Sequence, residues 1–130
     1  MEEGLRRSVP RDCHLVTGSD GPMIVRIWRT DVRRHAVGEY QRFANERSLP
    51  MFRRQPGCLG VWFARQSVEH HAVITLWRHR SSVQQMELSP GYRDIVSELL
   101  ATDVLVGGQE VDVFEVDGGA VWDDLVFEEP

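Results

Sequence analysis

The residues best equipped for chemistry gather on one strand-like run, His70-His71-Ala72-Val73-Ile74-Thr75-Leu76-Trp77. Side chains alternate across a strand, so His71, Val73, Thr75 and Trp77 share one face. That face offers an imidazole that titrates near neutrality, a hydroxyl and an indole N–H. His71 is the candidate general base, and Thr75 and Trp77 could join it in a pocket between sheet and helices. Two further residue types suit a small oxygenated ligand. Arg29 could hold a phenolate or carboxylate, because a guanidinium keeps its charge across the accessible pH range. Tyr92 could hydrogen-bond a ligand oxygen, and Tyr40 and Phe43 could supply an aromatic wall. Each has a plainer role beside the chemical one. Trp77 and Tyr92 would serve as core packing, His70 and His71 as solvated strand-end residues, and Arg29 as the partner of a carboxylate.

Other chemistries are excluded or disfavoured by composition and spacing. All 15 basic residues are arginine, so Schiff-base and lysine general-base mechanisms are closed to this chain. A net charge of −5 argues against a nucleic-acid surface, which must neutralise phosphates. His70, His71 and His79 make a poor metal set, since adjacent strand residues point to opposite faces. Glycine-rich phosphate loops, a Gly-x-Ser-x-Gly elbow and a CxxC pair are all missing from the sequence.

These side chains need elements to position them. Cys58-Leu59-Gly60-Val61-Trp62-Phe63 and Ala72-Val73-Ile74-Thr75-Leu76-Trp77 are short, β-branched and aromatic, and Gln66-Ser67-Val68-Glu69-His70 joins them as an antiparallel hairpin. An earlier strand runs from Met23 to Thr30, with Val25, Ile27 and Arg29 on one face and Ile24, Arg26, Trp28 and Thr30 on the other. Neither face is wholly polar, as expected of a sheet covered on both sides. From Arg33 the period turns helical, with Val37, Tyr40, Phe43 and Ala44 forming the apolar stripe. Pro50 interrupts that helix, a short segment at Met51 and Phe52 follows, and Pro56-Gly57 ends it. After the hairpin, Ser81 with Gln84 reads as a capping box, and Ser89-Pro90 opens a helix whose stripe is Tyr92, Ile95, Val96, Leu99 and Leu100. Gly107-Gly108 should break the chain before a last strand, Glu110 to Val116.

The order is β-α-β-β-α-β, a ferredoxin-like α+β fold with a four-stranded antiparallel sheet and helices on one face. At 130 residues the chain makes one domain, over residues 23–117. Residues 1–22 read as a flexible leader, and 118–130 as an acidic apolar tail expected to dock on its own subunit or a partner. No run reaches the length of a membrane span and no secretory signal is legible, so a cytoplasmic protein is expected. Cys13 and Cys58 are then expected to stay unpaired. The sheet face without helices would leave Trp28, Trp62 or their alternates in water, which predicts a face-to-face homodimer.

The segment Leu49-Pro50-Met51-Phe52-Arg53-Arg54-Gln55-Pro56-Gly57-Cys58-Leu59-Gly60-Val61, the strand ending Leu76-Trp77, and Ser89-Pro90-Gly91-Tyr92 together resemble the antibiotic biosynthesis monooxygenase domain, over about residues 23–117. The resemblance implies a dimeric α+β barrel that oxidises a phenol or anthrone to a quinone with dioxygen and without a cofactor. It also sets a register that would turn Arg29 toward the pocket. The haem-degrading branch of that family uses an Asn, a Trp and a His. Trp77 matches the Trp, but Ile27 and Val96 align with the other two, and neither can ligate iron, so no haem is expected. The alternative is a non-catalytic barrel that binds a small apolar ligand or acts as an interaction module. A buried Arg or His in a cavity against Trp77 would favour the enzyme, and a cavity filled by Tyr40, Phe43 and Trp77 the module.

Overall fold

Residues 13–15, 17–18 and 21–122 are described by the structure, a computed structural model. Four strands, β1 (Ile24–Val32), β2 (Cys58–Arg65), β3 (His70–Trp77) and β4 (Leu105–Glu115), form one antiparallel sheet in the order β2-β3-β1-β4. Helices α1 (Val37–Phe43) and α2 (Leu49–Arg53) link β1 to β2, and α3 (Arg80–Leu88) and α4 (Pro90–Ala101) link β3 to β4. This is the ferredoxin-like α+β arrangement read from the sequence, with both long connections crossing the same face.

Alternation on β1 decides what reaches the interior. Ile24, Arg26, Thr30 and Val32 are buried on the helix side, with Trp28 between them, while Val25, Ile27 and Arg29 turn to the other face. Two core clusters result. One joins Ile24, Val73 and Trp77 to Met51, Phe52 and Met86 from the helices, and the other joins Val32 to Tyr40, Leu99 and Leu105. Trp28 and Phe43 pack against both clusters.

Local signals worked where they were chemical and failed where tertiary pairing overrode them. Ser89 caps α4 as expected, its Oγ accepting from the Tyr92 amide at 3.2 Å, with Pro90 in the first turn. Ser81 caps nothing: α3 starts at Arg80 after an extended His79 that makes no side-chain cap, so the capping box is not formed. Gly107 and Gly108 do not break the chain but lie inside β4. There the pairing with β1 shifts register between Arg29 and Asp31, and Gly107 takes a φ of +69°, the conformation a bulge asks of a glycine. Pro50 does not split the helix. A π-turn, Ala44–Ser48, precedes α2 and carries the chain through without a break. A proline ring clashes with the carbonyl four residues back in regular α-geometry, and a wider turn relieves that clash.

Gly57 closes the α2–β2 junction with a φ of +81°, and a Cβ there would lie 2.3 Å from Ser82 Oγ. Its carbonyl accepts from the Arg78 amide at 2.8 Å, tying the start of β2 to the end of β3. Gly57→Ala is therefore expected to destabilise the fold by about 2 kcal/mol or more, read as a shift in the urea midpoint.

The outermost described segments meet. Cys13–Leu15 pairs antiparallel with Ala120–Trp122, and Thr17–Gly18 with Gly21–Pro22. Residues 1–12, 16, 19–20 and 123–130, which hold much of the expected leader and tail, lie outside the described residues. Among the described residues Cys58 is a free, half-buried thiol, and no helix is long and apolar enough to cross a membrane.

Candidate functional site

Between the helix side of the sheet and the helices lies a narrow cleft of about 460 Å³, counting solvent at its mouth. Its walls are mainly aromatic and aliphatic: Trp28, Phe63 and Val73 from the sheet, Phe43, Met51 and Phe52 from the first helical run, Ile95, Val96 and Leu99 from α4. The π-turn forms part of the wall through Ala44 and Ser48, both buried. Such turns are rare in helices and recur at functional sites.

One cation enters this apolar space. Arg26 is 3% exposed, and its Nε donates to Glu87 Oε2 at 3.0 Å. Its Nη2 donates to the Tyr92 hydroxyl at 3.0 Å, and its guanidinium carbon lies 5.5 Å from the centroid of the Tyr92 ring. A buried guanidinium needs a counter-charge and filled hydrogen bonds, and Glu87, 40% exposed at the rim, supplies the charge. Nη1 makes no hydrogen bond among the described residues, so both of its N–H donors stay uncommitted. The arrangement can hold a ligand oxyanion in a medium where a charge-assisted hydrogen bond is strong.

Sequence reasoning missed Arg26 by choosing Arg29. The signal was present, for alternation alone sets Arg26 between Ile24 and Trp28 on one face. Arg29 points to the opposite face and pairs with Asp112, so the register that would bring it to the pocket does not hold. Ile27 shares that outer face, while Val96 lines the cleft as an aliphatic residue without a metal-binding atom.

The remaining candidates divide. Tyr92, Tyr40 and Phe43 line the cleft; His71, Thr75 and Trp77 do not. Trp77 is fully buried, edge-on to Phe52 with ring centroids 6.5 Å apart. Its Nε1 donates to Thr75 Oγ1 at 2.7 Å, and Thr75 Oγ1 donates to the Arg26 carbonyl at 3.3 Å. Two expected ligand contacts thus brace the backbone of the residue that faces the cleft. Trp77→Phe should cost about 2 kcal/mol of stability while ligand affinity changes less than about threefold, checked by urea unfolding and fluorescence titration. His71 is 5% exposed, donates from Nε2 to the Val68 carbonyl at 2.8 Å, and meets Tyr40 edge-on with centroids 5.1 Å apart. So held, it is a packed strand-end residue rather than a base over the cleft.

Tyr40 is 4% exposed, and burial pushes its phenol up to about 12, which keeps it protonated and a donor. Burial likewise raises the Cys58 thiol, outside the cleft, although a contact to the Gly60 carbonyl opposes the shift. Among the described residues no group of three or more His, Cys, Asp or Glu could hold a metal ion.

No protein-family profile matches the chain, and no curated protein matches it. Solved structures do. A mutant form of SnoaB from Streptomyces nogalater, a cofactor-independent oxygenase, is 19% identical with a TM-score of 0.63, covering 74% of this chain and 94% of that one. A conserved protein from Methanosarcina mazei Go1 is 16% identical with a TM-score of 0.64, over 72% and 92%. A provisionally named antibiotic biosynthesis monooxygenase from Caulobacter crescentus CB15 is 12% identical with a TM-score of 0.64, over 74% and 91%. Strand order, helix placement and these superpositions agree: the chain has the fold of the antibiotic biosynthesis monooxygenases.

Proposed function

We propose that this protein is a cofactor-independent monooxygenase that oxidises a hydroxylated aromatic, a phenol or an anthrone, to the quinone with dioxygen, and that it works as a cytoplasmic homodimer joined through the helix-free sheet face. The Arg26–Tyr92 pair in a mainly apolar cleft is the observation that carries this function. An anthrone bound there loses a ring proton to solvent and becomes an anion, which Arg26 stabilises with Tyr92 as the neighbouring hydroxyl. The anion passes one electron to dioxygen, and the carbon radical and superoxide combine into a peroxide. The peroxide anion takes a proton back from solvent and loses water to leave the quinone, so one oxygen atom enters the product, the other leaves as water, and no outside reductant is needed. Trp28, Phe43 and Phe63 exclude bulk water and give dioxygen an apolar path.

A ligand-binding barrel without catalysis is the second reading, favoured by the narrowness of the cleft and by the absence of His71 from its lining. Oxygen uptake by metal-stripped protein given a simple anthrone separates the two. Uptake above the spontaneous rate is expected; uptake equal to background would favour the binding barrel.

A further inference from the structure

The polar groups of the cleft stand at two separated ends. Arg26 and Tyr92 mark one end. Tyr40 marks the other, beside His71, which pairs with Thr30 on β1. From Arg26 to Thr30 is four residues of strand, about 13 Å at roughly 3.3 Å per residue. The space between holds Trp28 and apolar side chains from the helices.

Tyr40 differs from Tyr92, the other tyrosine of the cleft. Tyr92 accepts from Arg26 and Trp77 donates to Thr75, but the Tyr40 hydroxyl has no hydrogen-bond partner among the described residues although the residue is 4% exposed. Among the described residues no buried side-chain oxygen or nitrogen is sealed off without a partner, so this hydroxyl borders open space, and Tyr40 lines the cleft. A hydroxyl that borders the cleft is open to a ligand oxygen, which would replace solvent as its hydrogen-bond partner. Because the phenol stays protonated, it keeps an O–H to donate to a neutral or anionic acceptor.

We propose that Tyr40 is a specificity-determining residue that donates a hydrogen bond to an oxygen at the end of the ligand remote from Arg26, which selects elongated aromatics bearing oxygen at both ends. This role rests on the oxygenase pocket proposed above and adds a second point of recognition to it. Three fused rings with a terminal oxygen at each end match the separation of the two polar ends, whereas a one-ring phenol reaches only one.

The test pairs two ligands and two variants. Anthraflavic acid carries a hydroxyl at each end of a three-ring quinone, and its monohydroxylated analogue carries one. Binding of both to the full chain is followed by quenching of tryptophan fluorescence. Tyr40→Phe removes one oxygen and keeps the ring, and circular dichroism with the urea midpoint reports whether the fold survives. Tyr40→Phe is expected to weaken anthraflavic acid by about five- to tenfold and to leave the analogue within about twofold. Arg26→Met is expected to weaken both. Equal loss of the two ligands, or no loss of either, in a folded Tyr40→Phe protein overturns the role of Tyr40 while the pocket stands. If neither quinone binds the unaltered protein, the role and the pocket beneath it fall together.

Discussion

Arg26→Met should lower anthrone-dependent oxygen uptake by roughly 100- to 1,000-fold, the usual consequence of deleting a single preorganised donor to a developing oxyanion. The substitution preserves much of the side chain's length and apolar stem, so the cleft keeps its shape while losing its only described cation. Two further readouts tie the loss to anion stabilisation. The rise of rate with pH should move upward in the variant, because the bound aromatic then ionises nearer its value in water. Binding of a neutral aromatic without a hydroxyl should change little. Glu87 is 40% exposed and can be hydrated once its partner has gone, so the fold should tolerate the change. Arg29→Met on the opposite face, where Asp112 is its partner, should leave uptake within about twofold. A rate unchanged in Arg26→Met, or a fall that appears equally in Arg29→Met, would sink the assignment.

Ile74→Arg should convert the protein from dimer to monomer at micromolar concentration, read as a halving of mass by light scattering. Ile74 stands in the centre of the helix-free face, opposite Ile27 on β1 and Trp62 on β2. Val25 and Phe114 extend the apolar surface toward β4, and Phe114 is 51% exposed in the single chain. An exposed apolar face of this breadth is uncommon on a monomer, and a charge at its middle would have to be buried unpaired if two faces met. The far end of the same face carries Arg29, Glu110 and Asp112, which suits a polar rim. A wild-type protein that already runs as a monomer would contradict the proposed assembly.

The sequence carried the order of elements because each depends on a local period: alternation on β1 and β3, and the 3.6-residue stripe from Val37 to Ala44. It carried the α4 start because Ser89 and Pro90 act within one turn of themselves. What it could not carry was set by pairing between distant segments. The length of β4 depends on a register shift against β1, and nothing local to Gly107-Gly108 distinguishes a bulge from a break. The site was half legible for the same reason. Tyr40, Phe43 and Tyr92 follow from helix stripes, whereas Arg26 against Arg29 is a choice of sheet face, and a shift of one residue reverses it. His71 and Trp77 are on the anticipated face, but the one is claimed by the Val68 carbonyl and the other by the core.

The π-turn fixes an angular phase as well as a wall. At 100° per residue, Ser48 in an unbroken α-helix would stand about 80° round the axis from Tyr40. The looser winding of Ala44–Ser48 turns the later residues back, so Tyr40, Ala44 and Ser48 all reach the same cleft. Met51 and Phe52 inherit that rotation and face the Trp77 cluster. The extra width of one turn thus keeps a recognition segment and a core segment in phase along a single helical run, and the spacing between Phe43 and Pro50 is constrained even where its individual side chains are not.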